Sequence, residues 1–345
     1  MNTFIRKSVQ ELEAYTPGEQ PRVEGLIKLN TNENPYPPSP AVARALREYA
    51  EDALRLYPDP ACLALRERIA AIHGCAAGQV FAGNGSDEVL RLVTRAFTQP
   101  GGAAAAFDPS YSLYPVLAAA EEVGFRAVPV ADGFGWAEPP MDLDATLFFL
   151  ANPNAPTGVC YPLDAIRSFC RRFGGVVLID EAYADFSEGR SCMALAQSLP
   201  NVLVCRTLSK SFSLAGLRLG YAVGSVELIE ALGKLKDSYN VDRLAQLIAW
   251  AALGDLPWME ANARRIVATR KRVAAELEKR GFGVVPSASN FLFVEPPAGT
   301  SAAELFAALR TRKILVRHFP GGRTGNHLRV TIGTDAQMDA FLAAL

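Results

Sequence analysis

Short apolar runs and stretches of helical apolar spacing alternate through the central part of the chain. Runs with the length of buried strands occupy 79–82, 103–107, 125–130, 146–151, 176–179, 202–205 and 221–225. Stretches with helical spacing lie between them at 86–97, 111–123 and 163–173. Strands that alternate with helices form a mostly parallel sheet with helices on both faces. The pattern therefore predicts an α/β fold whose large domain contains a mixed, mostly parallel sheet covered by helices.

The two ends of the chain depart from this alternation. Six prolines lie between positions 17 and 40, and they prevent long regular structure there. Helical spacing at 226–253 and 256–280 is followed by the shorter strands and helices of a smaller α+β unit. We therefore predict an N-terminal arm at 1–40 that packs on the small domain and on a partner subunit, a large domain at 41–238, and a small C-terminal domain at 239–345.

Composition and charge narrow the classes of function. The 345 residues are 50% hydrophobic and 21% charged, with no apolar run long enough to span a bilayer. The formal net charge of -1 provides no basic face for nucleic acid or for a membrane surface. These properties predict a soluble globular protein that binds neither nucleic acid nor membranes.

The cysteines and the first residues give no sign of a metal site or of export. The six cysteines are scattered, with no C-x-x-C pair and no histidine at metal-ligand spacing. The chain begins with mixed polar residues and lacks the apolar segment of a signal peptide. We therefore expect reduced thiols, no bound metal and a location in the cytoplasm.

Polar residues follow three of the predicted strands at the point where each strand ends. In open α/β sheets, ligands bind beyond the carboxyl ends of the strands. The segment after 202–205 contains Lys210. Its amine can lose its proton through desolvation or through a nearby cation, and it can then attack a carbonyl to form a Schiff base. An ordinary exposed loop lysine is the alternative.

Asp180 follows the apolar run 176–179, where a carboxylate is costly unless a cation or a strong donor meets it. A protonated pyridine nitrogen is such a cation, whereas capping of the next helix is the alternative. Asn152 and Tyr183 also follow strands and can donate to a phenolate oxygen. The alternatives are that Asn152 is a turn residue before a proline and that Tyr183 is a core aromatic.

The segment 83–88 (GNGSDE) follows a strand and opens a helix, so its free N–H groups and the helix dipole can bind an anion. It matches neither the dinucleotide fingerprint nor a P-loop, and Ser86 can instead be a simple N-cap. The acidic side chains at 87 and 88 would repel a phosphate, so we expect contact through the main chain. Ser209, Ser211 and Arg218 would complete the site, with a forked contact from the arginine.

Motifs in these places occur in the order and spacing of a known family. NPNAPTG at 152–158, DEAY at 180–183, and Ser209-Lys210 with Arg218 resemble the fold type I pyridoxal-phosphate aminotransferases. Further motifs are similar to the histidinol-phosphate aminotransferase family along nearly the whole chain: LNTNENP at 29–35, YPD at 57–59, GSDE at 85–88, PSY at 109–111, SYN at 238–240 and LRVTIGT at 328–334. The resemblance implies a fold type I transferase that uses pyridoxal 5'-phosphate.

The resemblance also implies roles for individual residues. Lys210 is expected to bond to the cofactor and later to move protons, Asp180 to pair with the pyridine nitrogen, and Asn152 and Tyr183 to contact the ring oxygen. Tyr111 is expected to stack on the ring, or else to be an apolar aromatic at a helix start. The cofactor phosphate is expected to be bound by Ser86 and Asp87 through their main chain, by Ser209 and Arg218, and by Tyr57 from the neighbouring subunit of a homodimer.

One position departs from the family pattern, since Ala155 replaces the third asparagine of the usual NPNNPTG. We expect this change to affect hydrogen bonds of the turn and not cofactor binding. On the substrate side, Arg329 resembles the arginine that binds the substrate carboxylate, and Arg317 and Tyr15 lie where substrate contacts are expected. Two arginines on adjacent strands can equally be surface ion-pair partners.

The implied activity is that of a transaminase of histidine biosynthesis, which moves an amino group between histidinol phosphate and 2-oxoglutarate in two half-reactions. An aromatic amino-acid aminotransferase acting on phenylalanine or tyrosine and a threonine-phosphate decarboxylase are the alternatives within the family. A transcription regulator would need a DNA-binding unit, and the arm is too short and too neutral for one. A nicotinamide-linked reductase would leave Lys210 unexplained and would require the glycine fingerprint.

Overall fold

The computed structural model describes residues 4–345, so the first three residues of the predicted arm lie outside the described part. Over the described residues the helices are α1 (Lys7–Glu11), α2 (Pro40–Glu48), α3 (Leu63–His73), α4 (Ser86–Phe97), α5 (Leu113–Ala120), α6 (Leu163–Arg172), α7 (Met193–Ser198), α8 (Val226–Leu235), α9 (Arg243–Leu253), α10 (Leu256–Lys279), α11 (Ala302–Thr311) and α12 (Asp335–Ala343). The strands are β1 (Ile27–Lys28), β2 (Val80–Gly83), β3 (Ala103–Asp108), β4 (Gly124–Pro129), β5 (Leu147–Ala151), β6 (Val176–Asp180), β7 (Val202–Thr207), β8 (Gly220–Val223), β9 (Gly283–Val285), β10 (Phe291–Glu295), β11 (Ile314–Leu315), β12 (Arg317–His318) and β13 (Leu328–Thr331).

The largest sheet has seven strands in the order β2-β8-β7-β6-β5-β3-β4. The pairs from β7 through β6, β5 and β3 to β4 are parallel, whereas β8 is antiparallel to both of its neighbours. Strand β5 is buried along its whole length, because helices cover both faces of the sheet. The prediction of an α/β fold with a mixed, mostly parallel sheet is therefore confirmed.

Alternate residues of the central strands supply the two faces of the core. Leu147 and Phe149 pack on the face that α4, α5 and α8 cover, together with Tyr114 of α5. Phe148 and Leu150 pack on the opposite face, in a cluster that continues into the C-terminal part of the chain. The period of two residues that separates the faces follows from strand geometry. The sheet is thereby held rigidly, and the loops at its carboxyl edge are fixed in position.

The C-terminal part contains a four-stranded antiparallel sheet in the order β12-β13-β10-β9. The long helix α10 precedes this sheet, and α11 and α12 complete the unit. The arm joins it through β1, which pairs in parallel with β11. Helix α9 lies instead against α2 and α3. The arm therefore packs beside the C-terminal unit, and its residues after β1 lie at the carboxyl edge of the large sheet.

Several element predictions are wrong in detail. The predicted helix at 226–253 is two helices, because Asp242 caps a new helix by accepting a hydrogen bond from Ala245 N at 2.8 Å. Within the C-terminal part, where the pattern predicts a single strand at 315–318, the structure has two short strands, β11 and β12, which pair with different partners. The two-residue strand β1 and the short elements α7 and β9 were not predicted. None of the helices in the described part of the chain combines the length and apolar character needed to span a bilayer.

Candidate active site

The carboxyl ends of β5, β6 and β7 meet at one edge of the large sheet. Ala151 lies beside Asp180 in the register of β5 and β6, and Asp180 lies beside Cys205 in the register of β6 and β7. A cavity of about 280 Å³ opens at this edge. Its lining includes eleven of the predicted site residues, which are Tyr15, Ser86, Asp87, Tyr111, Asp180, Tyr183, Ser209, Lys210, Arg218, Arg317 and Arg329.

Lys210 extends into this cavity from the loop after β7. Its Nζ donates to the carbonyl oxygen of Thr31 at 3.3 Å and lies 5.8 Å from the centre of the Tyr183 ring. The loop is fixed by Asn34, whose Nδ2 donates to the carbonyl oxygens of Lys210 and Ser211 at 3.1 and 3.0 Å. Within residues 4–345, Lys210 belongs to no ion pair. The lysine therefore presents an amine to the cavity without a carboxylate partner that would hold its proton.

A cluster of charged side chains supports this loop from behind. Arg206 of β7 pairs with Glu181 at 2.8 Å and with Asp185 at 2.9 Å. The hydroxyl of Ser211 also donates to Asp185. The cluster is largely buried, so its charges are compensated inside the protein and removal of one partner would be costly. It ties the loop after β6 to the loop that carries Lys210.

Asp180 is a buried carboxylate without a positive partner among the described residues. It is 7% exposed and accepts hydrogen bonds from Tyr114 Oη at 2.9 Å and from Ala182 N at 3.1 Å. Burial raises the pKa of Asp180 from 3.8 to about 6, although both hydrogen bonds act in the opposite direction. Burial also keeps the pKa of Tyr114 well above its usual value, so Tyr114 stays a donor. A cation placed against Asp180 would stabilise its charged form.

The start of α4 forms an anion cradle beside Asp180. Gly85 precedes the helix with φ 80°, and no side chain caps the first turn. Arg218 lies across this turn, and a Cβ on Gly85 would come within 2.7 Å of its Nη2. Arg218 pairs with Asp87 at 3.0 Å, so the carboxylate that would repel an anion is compensated. Free N–H groups at a helix start beside an arginine are suited to a phosphate.

Close approach of β8 to α4 also shapes this cradle. A Cβ on Gly220 would lie 2.4 Å from the backbone nitrogen of Ser86, so only glycine fits there. Glu88 turns away from the cavity, because its Oε2 accepts hydrogen bonds from Asn84 N and from Asn240 Nδ2. The second acidic residue of the turn is therefore removed from the anion position.

Two tyrosines line the cavity from the helical side and from the loop after β6. Tyr111 contacts Tyr15 edge-on, with ring centroids 5.8 Å apart. Burial raises the pKa of the Tyr111 hydroxyl, so its phenol stays neutral. Tyr183 Oη accepts a hydrogen bond from Asn32 Nδ2 at 2.9 Å, and its ring packs edge-on against Phe291. An aromatic face and a phenol are thus available to a flat ring in the cavity.

Asn152 lies between Ala151 and Pro153, which both line the cavity, and its contact with a ring oxygen stays a prediction. Its Oδ1 accepts from Tyr161 N at 2.7 Å, and its Nδ2 lies 3.7 Å from Cys192 Sγ. The amide of Asn152 is thus buried with a partner at its oxygen and only a weak contact at its nitrogen. Ala155 lines the cavity as well. That this departure from the family pattern affects the turn and not cofactor binding stays a prediction.

Arg317 and Arg329 face each other across β12 and β13 at the other side of the cavity. Arg329 Nη2 donates to the carbonyl oxygen of Asn30 at 3.0 Å, while its buried Nε has no partner among the described residues. Arg317 donates to the carbonyl oxygens of Thr16 and Pro17. Neither arginine forms an ion pair within residues 4–345, and the roles of both in substrate binding stay a prediction. Burial lowers the pKa of Arg329, as expected for a cation that lacks an anion.

Tyr57 lies outside the cavity of its own chain. Its side chain is 76% exposed and stacks on Tyr239, with ring centroids 4.4 Å apart and planes 11° from parallel. The main-chain oxygen of Tyr57 accepts from Arg243. A contact between Tyr57 and a cofactor in a neighbouring subunit stays a prediction.

Sequence reasoning missed three residues that support the site. Asn32 and Thr31 contact Tyr183 and Lys210, and Tyr114 contacts Asp180. The two arm residues belong to the motif at 29–35, but the motif alone gives them no partner. The spacing of Tyr114 three positions after Tyr111 places both on one side of a helix, which was the available signal. The described residues contain no cluster of side chains that could hold a metal ion.

Comparisons with known proteins agree with this geometry. Residues 24–345 match the family model of aminotransferase class I and II. A histidinol-phosphate aminotransferase of Chromohalobacter salexigens is 48% identical to this chain, and the alignment covers 100% of this chain and 99% of that protein. Histidinol-phosphate aminotransferase 1 of Burkholderia pseudomallei is 46% identical, and the alignment covers 100% of this chain and 98% of that protein. Among solved structures, this chain is similar to the histidinol-phosphate aminotransferase from Sinorhizobium meliloti in complex with pyridoxal-5'-phosphate. The TM-score is 0.88 at 25% identity, and the match covers 100% of this chain and 97% of that chain.

Proposed function

Because the chain belongs to the class I and II aminotransferases, we propose that it transfers the amino group of histidinol phosphate to 2-oxoglutarate. The products would be imidazole-acetol phosphate and glutamate. The names of relatives that are nearly half identical over the whole chain support this substrate pair. The observation that carries the proposal is one cavity onto which Lys210, the isolated carboxylate of Asp180 and the uncapped start of α4 all open.

The family uses pyridoxal 5'-phosphate, and the residues at the cavity fit this cofactor. Asp180 lacks a cation, which the pyridine nitrogen would supply. The first turn of α4 with Ser86, Asp87, Ser209 and Arg218 would hold the phosphate. Tyr111 would cover one face of the ring, and Tyr183 would donate to its oxygen. These roles are proposals that rest on the donor set and on its burial.

Pyridoxal phosphate, when bound, accepts electrons from the carbon that carries the substrate amine and so makes loss of a proton from that carbon easier. Lys210 is the base of this site, because its amine reaches the cavity without a carboxylate partner. Its Nζ would take the proton from the substrate carbon that carries the amine and would deliver it to C4' of the cofactor. Asp180 acts from the opposite side by remaining ionised against a cation. Lys210 would therefore move the proton itself, whereas Asp180 would assist by stabilising the positive charge of the pyridine nitrogen.

Arg329, Arg317 and Tyr15 would bind the anionic parts of the substrates. The buried Nε of Arg329 has no partner among the described residues, and a carboxylate or phosphate oxygen would satisfy it. Arg317 lies opposite Arg329 in the register of β12 and β13. Two neighbouring guanidinium groups suit a site that binds a phosphate ester in one half-reaction and a second carboxylate in the other.

We further propose that the protein is a homodimer and that each chain consists of an N-terminal arm, a large domain and a small domain. The exposed ring of Tyr57, stacked on Tyr239, supports a contact with a neighbouring subunit. The seven-stranded sheet supports a large domain at 41–238, and the four-stranded sheet supports a small one at 239–345, with α9 lying against the large unit. The arm at 1–40 joins the small unit through β1. A cytoplasmic location is supported by six cysteines that are all free.

The test is a comparison of amino donors with the purified protein and its cofactor. Glutamate formation from 2-oxoglutarate is measured with histidinol phosphate, phenylalanine and tyrosine, and release of carbon dioxide is measured with threonine phosphate. We expect kcat/KM for histidinol phosphate to exceed the other values by at least about tenfold, because contacts to a charged group contribute about 1.5–3 kcal/mol. Equal or higher values for phenylalanine or tyrosine would contradict the substrate assignment and would leave the transaminase assignment intact.

A further inference from the structure

We propose that Asn32 is a positioning residue that turns the hydroxyl proton of Tyr183 into the cavity. The inference rests on the proposed function, because the acceptor of that proton would be the ring oxygen of the cofactor. Asn32 belongs to the arm, Tyr183 to the loop after β6, and Thr331 to the C-terminal sheet. The three residues form a chain of hydrogen bonds in which each polar atom has a defined direction.

The direction of the bond between Asn32 and Tyr183 follows from Thr331. Thr331 Oγ1 accepts a hydrogen bond from the backbone N–H of Asn32 at 3.0 Å. The single proton of the same hydroxyl is directed to Asn32 Oδ1 at 2.9 Å. The oxygen of the Asn32 amide is thus occupied by Thr331, and its NH₂ group faces Tyr183 Oη at 2.9 Å. Asn32 is therefore the donor and Tyr183 the acceptor.

The backbone at Asn32 holds this arrangement at a cost. Asn32 has φ 57°, in the left-handed region that asparagine tolerates better than most residues. Its carbonyl oxygen accepts from Asn290 Nδ2 at 3.0 Å, and the residue is 1% exposed. Such a conformation is unfavourable for residues other than glycine and persists where the surroundings fix it. The amide is thus built into one orientation between two parts of the fold.

Tyr183 has one proton, and the Asn32 amide cannot accept it in this orientation. Within residues 4–345 no other acceptor lies within hydrogen-bond distance of that proton. Tyr183 lines the cavity, and the neighbouring Ala155 offers no side-chain donor to a ring oxygen there. The hydroxyl of Tyr183 is therefore free to donate into the cavity. Asn32, which also lines the cavity, would act on a bound ring through Tyr183.

A double-mutant cycle tests this coupling. The variants are Asn32→Gly, which removes the amide but keeps a positive φ accessible, Tyr183→Phe, and the two combined. The measured quantity is the dissociation constant of pyridoxal phosphate for the apo-protein, followed by quenching of tryptophan fluorescence. We expect Asn32→Gly to weaken binding by about fivefold to tenfold when Tyr183 is present, as for loss of one hydrogen bond. In the Tyr183→Phe background we expect no further loss.

Asn30→Ala is the matched control. Asn30 is buried, lines the same cavity and donates to the carbonyl oxygen of Glu19 at 3.0 Å, but it has no contact with Tyr183. Any effect of Asn30→Ala should be equal in both backgrounds. If Asn32→Gly does not fold, as judged by its melting temperature, Thr331→Val removes the hydroxyl that orients the amide. We then expect a smaller loss of affinity that again disappears with Tyr183→Phe.

An equal loss of affinity in both backgrounds would overturn the inference, because Asn32 would then act only by packing. If the wild-type protein binds pyridoxal phosphate but the cycle is additive, this inference fails and the proposed function stands. If the wild-type protein does not bind pyridoxal phosphate at all, both fail together. A second readout is the pH midpoint of the visible absorbance of the bound cofactor. It should rise in Asn32→Gly and stay unchanged when the same substitution is made in Tyr183→Phe.

Discussion

Two walls of the same cavity are built in different ways. The sheet wall consists of Asp180 and Lys210, which lie at or just after the ends of β6 and β7, and of Arg218, which lies just before β8. The arm wall consists of Asn32 and Arg329, together with the residues around them from the arm and from the C-terminal sheet. Asp180 and Arg218 are held by neighbours in the same unit, Tyr114 and Asp87, whereas Lys210 also contacts Thr31 and Asn34 of the arm.

Contacts of the arm wall join distant parts of the chain. Arg329 donates to Asn30, and Thr331 bonds to Asn32, across 299 positions in each case. Arg329 and the neighbouring Arg317 donate to backbone carbonyl oxygens and form no ion pair among the described residues. We therefore propose that the sheet wall binds the cofactor and that the arm wall binds the charged groups of the exchanging substrates. Substitutions in the two walls should produce different kinds of defect.

The largest effect is expected from Lys210→Ala on the sheet wall. Loss of the only base in the cavity that we assign should lower kcat by a factor on the order of 10⁴, as for removal of a general base. The measurement is glutamate formation under saturating substrates. Lys234→Ala, which changes an exposed lysine of α8, should remain close to wild type. Comparable activity of Lys210→Ala and wild type would remove Lys210 from the mechanism.

Asp180→Asn should weaken binding of pyridoxal phosphate more than any change in the arm wall. Loss of one partner of a buried charge pair costs about 3 kcal/mol, or about two orders of magnitude in the dissociation constant. Titration of the apo-protein with pyridoxal phosphate measures it. An affinity within about twofold of wild type would show that no cation pairs with Asp180.

Asp180→Asn should also change how the free energy of unfolding of the apo-protein depends on pH. The pKa of Asp180 is raised from 3.8 to about 6 in the folded state, so the folded protein binds more protons than the unfolded chain between these values. Its contribution to the free energy of unfolding therefore falls as the pH rises through this window, by about 3 kcal/mol in total. Urea unfolding at several pH values should show this fall in wild type and its loss in Asp180→Asn. Parallel curves would contradict the raised pKa.

Arg329→Lys should affect substrate binding and leave cofactor binding unchanged. A lysine cannot reproduce the forked contact, so we expect KM for 2-oxoglutarate to rise by about tenfold to a hundredfold. The dissociation constant of pyridoxal phosphate is measured beside it. Arg264→Lys, at an exposed ion pair on α10, is the matched control. A change in cofactor affinity with an unchanged KM would reverse the assignment of the two walls.

Tyr114→Phe is expected to have the smallest effect. The ring keeps its stacking on Phe149, with centroids 4.6 Å apart, but Asp180 loses a hydrogen bond that lowers its pKa. The fall in stability of the apo-protein should therefore move to higher pH, with a change in the free energy of unfolding of about 1 kcal/mol. Urea unfolding across the same pH range measures the shift. A shift to lower pH would contradict the role of Tyr114.

The sheet wall could largely be predicted from the sequence, because its residues follow strands that the apolar pattern identifies. Asp180 and Lys210 lie at the predicted strand ends, and parallel strands bring those ends together. Asn152 also follows a strand, yet its side chain faces Tyr161. The side of a loop on which an amide lies depends on local backbone torsions, and residue type alone does not determine it.

The arm wall could be predicted only as a set of residue types. The resemblance supplied Arg317 and Arg329, and the register of β12 and β13 then placed them opposite each other. Nothing in the pattern of the arm predicts β1, which has only two residues, or the left-handed backbone of Asn32. Both depend on contacts with the C-terminal sheet, and such long-range pairing is absent from local sequence.

The claim that a single lysine amine holds the cofactor is tested most directly by locating the bond. The protein is incubated with pyridoxal phosphate, reduced with borohydride, digested and analysed by mass spectrometry. We predict one modified residue, Lys210, and no modified peptide in Lys210→Ala. A modification confined to another lysine, or an unmodified Lys210 in a protein that has bound the cofactor, would contradict this assignment.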